Sequence, residues 1–190
     1  MFERLRQNIE EKISLTVDEW NICKTFFAPK KIRKKQYFLQ EGDVCKYTAF
    51  IEKGAMRSYH IDEKGNEHIL QFALEGWWIT DMYSFYTGEP ASYNIDALED
   101  SEILQISQQN YEEMMQRVPR MERYFRLLLQ NRLIAMQRRL ASNLSFTAEQ
   151  KYIWMTQSYP DIFQRVPQHM IASYLGITKE TLSRIRAKKS

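Results

Sequence analysis

The sequence predicts an α+β protein: an antiparallel β sandwich or barrel first, one long helix next, and a short pair of helices last. Between Lys30 and Ser107, short segments rich in β-branched and aromatic residues recur about every ten residues. They are divided by the turn signals EGD (41–43), KG (53–54), DEKGNE (62–67) and TGEP (87–90). Such spacing marks antiparallel strands rather than βαβ units. From Ser107 onward the apolar period becomes helical. The charge is also uneven. Residues 1–106 hold 13 Lys/Arg against 18 Asp/Glu, whereas residues 164–190 hold six cations against Glu180 alone. A basic end on an acidic body points to a polyanionic partner.

Taken in order, Ile9, Ile13, Val17, Trp20 and Cys23 recur at three- and four-residue spacing and predict an N-terminal helical region with one buried stripe. The run KKIRKK (30–35) reads as a solvated edge strand guarded by lysine, with a nucleic-acid patch as the alternative. The segments YTAFIEKG, MRSYHID, EHILQFAL, SYNIDALED and EILQIS are the remaining strands. Ser107 is a candidate N-cap of a short helix that Pro119 interrupts, and Pro119 then opens a second helix running to about Asn143. On that helix Phe125, Leu129, Leu133, Met136, Leu140 and Leu144 form one apolar stripe, and Met121, Tyr124, Leu128 and Ala135 form another. One stripe suffices to lie on a single domain. The second predicts pairing with another copy, coiled-coil fashion. Thr147 caps the next helix, with Tyr152, Ile153 and Met155 as its buried face and Trp154 as a further candidate for it. Tyr159-Pro160-Asp161 ends that helix, and Pro167 starts the following one.

The end of the chain carries the clearest motif. In QHMIASYLGITKETLSRI (168–185), Ile171, Ala172 and Leu175 share one helical face. Gly176 can take positive φ, Thr178 is an N-cap, and Leu182 and Ile185 repeat the inward face. A small residue, three residues, a glycine and apolar positions at fixed offsets are helix-turn-helix spacing, with a plain αα-hairpin as the bland alternative. With Leu182 and Ile185 inward, Lys179, Glu180, Ser183 and Arg184 face outward near the start of the second helix. Arginine, glutamate and serine are residue types that read base edges, and a helix start is where such residues enter a major groove. Arg186, Lys188 and Lys189 are candidate phosphate contacts.

Other chemistries find less support. No apolar run reaches the ~18–20 residues needed to span a bilayer, so no membrane role is expected. The start, MFERLRQNIEEK, lacks the apolar segment of a signal peptide and predicts a cytoplasmic protein. Cys23 and Cys45 read as reduced thiols. They cannot supply the four thiolates of an ordinary iron–sulfur cluster, and a redox pair would need them within ~7 Å. His60, His68 and His169 give too few ligands for a usual zinc site, so no metal or other cofactor is expected. Trp77 and Trp78 are adjacent in a strand, so at most one could stack a planar ligand. No nucleophile elbow, phosphate loop or paired-carboxylate frame argues for an enzyme.

The order of parts resembles the cyclic-AMP receptor / fumarate–nitrate regulator (Crp/Fnr) family of bacterial transcription regulators. The resemblance rests on EGD (41–43), KGAMRSYHIDEKGNE (53–67), GWWITDMYSFYTGEP (76–90), ALEDSEILQIS (97–107) and RVPQHMIASYLGITKETLSRI (165–185). It implies a double-stranded β-helix (jelly-roll, cyclic-nucleotide-binding-like) sensor domain over 1–118. A dimerisation helix over 119–144 and a helix-turn-helix domain over 145–190 would follow. It also implies a homodimer on double-stranded DNA that senses a small-molecule effector and works with RNA polymerase. Lys179, Glu180 and Arg184 fall on the family's base- and phosphate-contacting positions. The sequence stops before any β-hairpin wing of the kind many members carry. In the family's nucleotide sensors a Gly-Glu-Leu turn holds the ribose and an Arg-Ser or Arg-Thr pair clamps the phosphate. Here Thr80 and Asp81 replace Gly-Glu, and the pair is Ala91-Ser92. The candidate effector pocket is therefore Asp81, Met82, Ala91 and Ser92, with cyclic AMP disfavoured as its ligand. The pocket is expected to be empty, filled by side chains such as Trp77 or Tyr93, or adapted to a different and less anionic ligand. The alternative reading is a ligand- or partner-binding module without DNA binding.

Overall fold

The computed structural model describes residues 2–188 of the 190-residue chain. Helices α1 (Glu3–Glu10) and α2 (Val17–Lys24) come first. The strands are β1 (Ala28–Ile32), β2 (Tyr37–Leu39), β3 (Tyr47–Lys53), β4 (Met56–Ile61), β5 (Glu67–Ala73), β6 (Trp78–Ile79), β7 (Asn94–Ala97) and β8 (Ser101–Ser107). Helix α3 (Met82–Thr87) lies between β6 and β7. Then come α4 (Gln108–Arg117), α5 (Arg120–Ser145), α6 (Ala148–Ser158), α7 (Pro160–Arg165), α8 (Gln168–Leu175) and α9 (Lys179–Ala187).

The strands form two four-stranded antiparallel sheets, ordered β1-β8-β3-β6 and β2-β7-β4-β5. First pairs with last and second with second-last: β1 with β8, β2 with β7, β3 with β6, β4 with β5. This nested pairing is the wiring of a jelly roll, the form of antiparallel sandwich that the family resemblance implies. The hairpins turn where the glycines lie. Gly54 shows why one of them must be glycine: its φ is +101°, and a Cβ there would sit 2.3 Å from Ser101 Oγ and 2.7 Å from Ser101 Cα. The KKIRKK run begins in β1, an edge strand paired only with β8.

Apolar residues from both sheets pack with α1, α2, α4 and the start of α5 into one core, centred on Phe50, Ile51, Met56, Ile95 and Ile103. Helix α1 is fixed on β3 by Glu52, whose buried carboxylate accepts the Leu5 amide at 2.8 Å. A second core joins Tyr59, Ile69, Phe72 and Leu74 of the sheet region to Met155, Ile162, Ala172, Leu175 and Leu182 of the C-terminal helices. The C-terminal helices are therefore docked on the β domain rather than held apart from it.

Local signals place most boundaries. Ser107 accepts the Asn110 amide, and Thr147 makes a capping box with Gln150. Pro119 stands at the N-cap of α5, one residue before the position expected for it. The N-terminal stripe needs correction. A turn splits it, because Thr16 and Glu19 form a capping box that restarts the helix, and Val17, the first residue of α2, is 70% exposed. On α5, Phe125 also departs from its expected role in dimerisation. It is buried against Trp78, Tyr111 and Tyr124 of its own chain, so the free stripe begins at Leu129. Leu129, Leu133, Met136, Leu140 and Leu144 are all exposed, from 43% to 81%.

Candidate nucleic-acid interface and effector cleft

The helix-turn-helix is built from local chemistry. Helix α8 ends at Gly176, which is left-handed at φ +65°, and the Ile177 amide then bonds Ala172 O at 3.0 Å. Thr178 caps α9 by accepting the Thr181 amide at 3.2 Å. Ile171, Ala172, Leu175, Leu182 and Ile185 are buried between the helices and their neighbours. Lys179, Glu180, Ser183, Arg184, Arg186 and Lys188 are all exposed on the opposite side. Hydrogen bonds from its own amide and from Thr178 hold the Glu180 carboxyl below its ordinary pKa, so it is an anionic acceptor near neutral pH. Lys189 lies outside the described residues.

The expected effector residues do not gather around one space. Asp81 is 1% exposed and turns its carboxylate back onto the chain. One oxygen accepts the Ser84 amide at 3.0 Å to cap α3, and the other accepts the Ser92 amide at 3.3 Å. Ala91 is buried, with its backbone bonded twice to the 42–43 turn. Ser92 is exposed. Only Met82 of the four lines the principal cleft, because the short Asp81 side chain serves as a cap instead of projecting inward.

That cleft, of about 620 Å³, runs between the β domain, α5 and the C-terminal helices. Trp78, Tyr93, Tyr111, Phe125 and Leu128 line it, as do Trp154, Tyr159 and Tyr174 from the C-terminal part of the chain. Trp77 and Tyr93 border it without filling it. Trp77 stands edge-on to Tyr159 with ring centroids 5.5 Å apart, whereas the Tyr93 hydroxyl donates to Thr80 O at 3.2 Å. Burial, reinforced by the Asp81 charge, pushes the Tyr93 hydroxyl up to about 12. Trp78 joins three elements: its indole N–H donates to Tyr124 of α5 at 3.0 Å, and that hydroxyl donates to Asn8 of α1 at 2.8 Å.

Polar side chains fasten the C-terminal helices to the β domain. Arg165 of α7 forks onto Glu75, with bonds of 2.6 and 3.0 Å, and reaches Glu99 as well. Burial works against ionising Glu75, but the Arg165 bonds outweigh it and bring the carboxyl down to about 2. Strand β5 is a sheet edge, and its free groups are met by side chains. Ser173 accepts the Ile69 amide and donates to Glu67 O, while Arg139 of α5 donates to Ile69 O, Leu70 O and Tyr174 O. Beneath that edge Arg57 is held between Asp96 and Glu67. None of these partners is marked by a sequence motif.

The thiols and histidines offer less. Cys23 and Cys45 are buried and unpaired, and burial pushes the Cys23 thiol up to about 11. His60 and His68 sit opposite each other across the β4–β5 hairpin, yet His68 bonds Asp62 at 2.8 Å and His60 approaches Ser92 O at 3.3 Å. Among the described residues no group of three potential metal ligands converges.

Residues 29–118 match the family model for the cyclic nucleotide-binding domain. A fumarate and nitrate reduction regulatory protein of Vibrio cholerae is 25% identical over 169 residues, covering 82% of this chain and 66% of that protein. Regulatory protein HlyX of Actinobacillus pleuropneumoniae is 28% identical over 173 residues, covering 82% and 69%. This chain thus spans about two thirds of these relatives. Among solved structures, the c-di-GMP-responsive regulator CLP of Xanthomonas campestris superposes with a TM-score of 0.74 at 13% identity, covering 92% of this chain and 91% of its own. FixK2 of Bradyrhizobium japonicum follows at 0.69 and 19%, covering 85% and 83%. Residues 29–118 thus form a domain of the cyclic nucleotide-binding type, and with a long helix after it and a helix-turn-helix at its end the chain is similar over most of its length to regulators of the fumarate–nitrate kind.

Proposed function

We propose that the protein is a DNA-binding transcription regulator whose β domain senses an effector and repositions a dimeric helix-turn-helix on an inverted repeat. The observation that carries it is α9, packed through Leu182 and Ile185 with Lys179, Glu180, Ser183 and Arg184 exposed along its first two turns. That placement suits base readout, while Arg186 and Lys188 suit phosphates. The names of the relatives, regulators of fumarate and nitrate reduction, support the same reading. The domain limits 1–118, 119–144 and 145–190 belong to the proposal, with RNA polymerase as a partner. Dimerisation is assigned to Leu129, Leu133, Met136 and Leu140, an apolar row that folding leaves uncovered.

The test is affinity for DNA as a function of salt. Sites selected from random duplexes should contain two half-sites ~34 Å apart, one helical turn, and log affinity should fall linearly with log salt. Binding that neither selects a sequence nor depends on salt would favour the alternative, a partner-binding module.

A further inference from the structure

The cleft has features that the domain model does not assign. Its lining is largely aromatic, but polar side chains interrupt it, and Thr48, Ser58 and Arg132 are the three that bear on a ligand. Thr48 of β3 and Ser58 of β4 are 6% and 3% exposed, and both border the cleft. Among the described residues neither hydroxyl has a protein hydrogen-bond partner. Two hydroxyls that border one space without a partner of their own are suited to the polar atoms of a ligand.

The third group is Arg132, which enters from α5. Its guanidinium donates to Gln71 Oε1 at 2.9 Å and forms no ion pair among the described residues. Gln71 is itself fixed, since its amide donates to Trp78 O at 2.9 Å, and it pairs in register with Ser58 across the β4–β5 ladder. The cation is thus held by the residue opposite one of the open hydroxyls. Its charge is felt inside the cleft, where it acts on Tyr93 against the effect of Asp81. A guanidinium with free donors beside apolar walls favours a planar anion.

We propose that this cleft binds a small aromatic monocarboxylate, with its ring against Trp78, Tyr93 and Phe125, its carboxylate on Arg132, and Ser58 and Thr48 hydrogen-bonded to its polar atoms. This rests on the reading of the β domain as a sensor and names the ligand class for it. The volume of about 620 Å³ is ample for one or two fused rings with a short acidic arm. The cation comes from the long helix, so the ligand bridges the β domain and α5. No cation is required at Ala91, where Asp81 is already engaged as a cap.

Calorimetric titration of the full chain, without DNA, tests this. Phenylacetate and 1-naphthylacetate are compared with their uncharged amides and with cyclic AMP. At least one acid should saturate at one per chain and bind about ten- to a hundredfold more tightly than its amide, the range expected for a charge-assisted contact. Arg132→Gln should remove that preference while leaving the amide unchanged, Arg132→Lys should restore part of it, and Ser58→Val should weaken the acid severalfold. Should Arg132→Gln fail to fold, the acid–amide comparison on the native chain decides. The proposal is overturned if neither acid saturates, if acid and amide bind alike, or if the preference survives Arg132→Gln. Cyclic AMP binding more tightly than both acids, and lost in Arg132→Gln, would overturn the ligand class too. A chain that binds the acids but no DNA would overturn the regulator reading alone.

Discussion

At the scale of single residues, exposure and backbone geometry determine what each substitution does. Arg184 stands exposed one turn into α9, so Arg184→Ala should cost ~1–3 kcal/mol on the preferred site and relax base choice at one position. Lys188, beyond the end of the helix, should instead weaken all sequences alike when replaced by alanine and lower the salt slope by about one. Competition binding against a randomised site distinguishes them, and an equal loss on every sequence for Arg184→Ala would remove its role as a base reader. The glycines make a second contrast. Gly176 has positive φ but open space where a Cβ would go, so Gly176→Ala should cost only about 1–2 kcal/mol. Gly54 combines positive φ with the Ser101 backbone 2.7 Å from an added Cβ, and Gly54→Ala should be clearly worse. Urea unfolding of the two variants measures this. Equal midpoints would mean that the β3–β4 turn relaxes away from Ser101.

At the scale of elements, α5 has two different ends. Its first turns are part of the β-domain core through Met121, Tyr124 and Phe125, whereas Leu129, Leu133, Met136, Leu140 and Leu144 stay exposed over four further turns. Repeating apolar residues at that spacing suit pairing with the same helix of a second copy. A charge in the middle of the row should separate the copies without unfolding either. For Leu133→Glu, sedimentation should show monomers at micromolar concentration with unchanged helix content, and affinity for an inverted repeat should fall sharply. A native chain that sediments as a stable monomer at that concentration would sink the seam. Helix α9 was legible because its determinants are local: a glycine, a cap and apolar offsets within eighteen residues. The α5 row was legible as apolar but not by partner, since periodicity does not say which apolar residues folding covers. Phe125 and Val17 were misplaced for that reason, one covered by Trp78 and Tyr111, the other exposed at a cap-restarted helix.

For the whole molecule, the jelly roll could be read from turn spacing and motif, but what binds its parts could not. Arg165 and Glu75 lie 90 residues apart, and Arg132 and Gln71 lie 61 apart, so neither pairing leaves a local trace. The Arg165 clamp nevertheless bears on function, because it holds the helix-turn-helix against the β domain and so fixes where α9 points. The side chains are 27% and 18% exposed, partly screened rather than fully buried, so the pair should contribute ~1–3 kcal/mol to docking. Because Glu75 has a lower pKa when folded than its ordinary 4.5, its stabilisation is fully present above about pH 4.5 and fades as the pH falls toward 2. Glu75→Gln keeps a carbonyl able to accept the Gly54 amide, now at 2.8 Å from Glu75, but loses the ion pair. In hydrogen exchange near neutral pH, Glu75→Gln and Arg165→Ala should both expose the amides of 69–74 and 162–175 more often, by about five- to a hundredfold, while the β3–β8 ladder keeps its protection. The native chain should lose protection in the same segments between pH 4.5 and 2, and Glu75→Gln should lose less over that range. If exchange in both variants matches the native chain, the second core alone holds the helix-turn-helix in place, and the clamp only decorates an interface already made by Phe72, Leu74, Ile162 and Leu175.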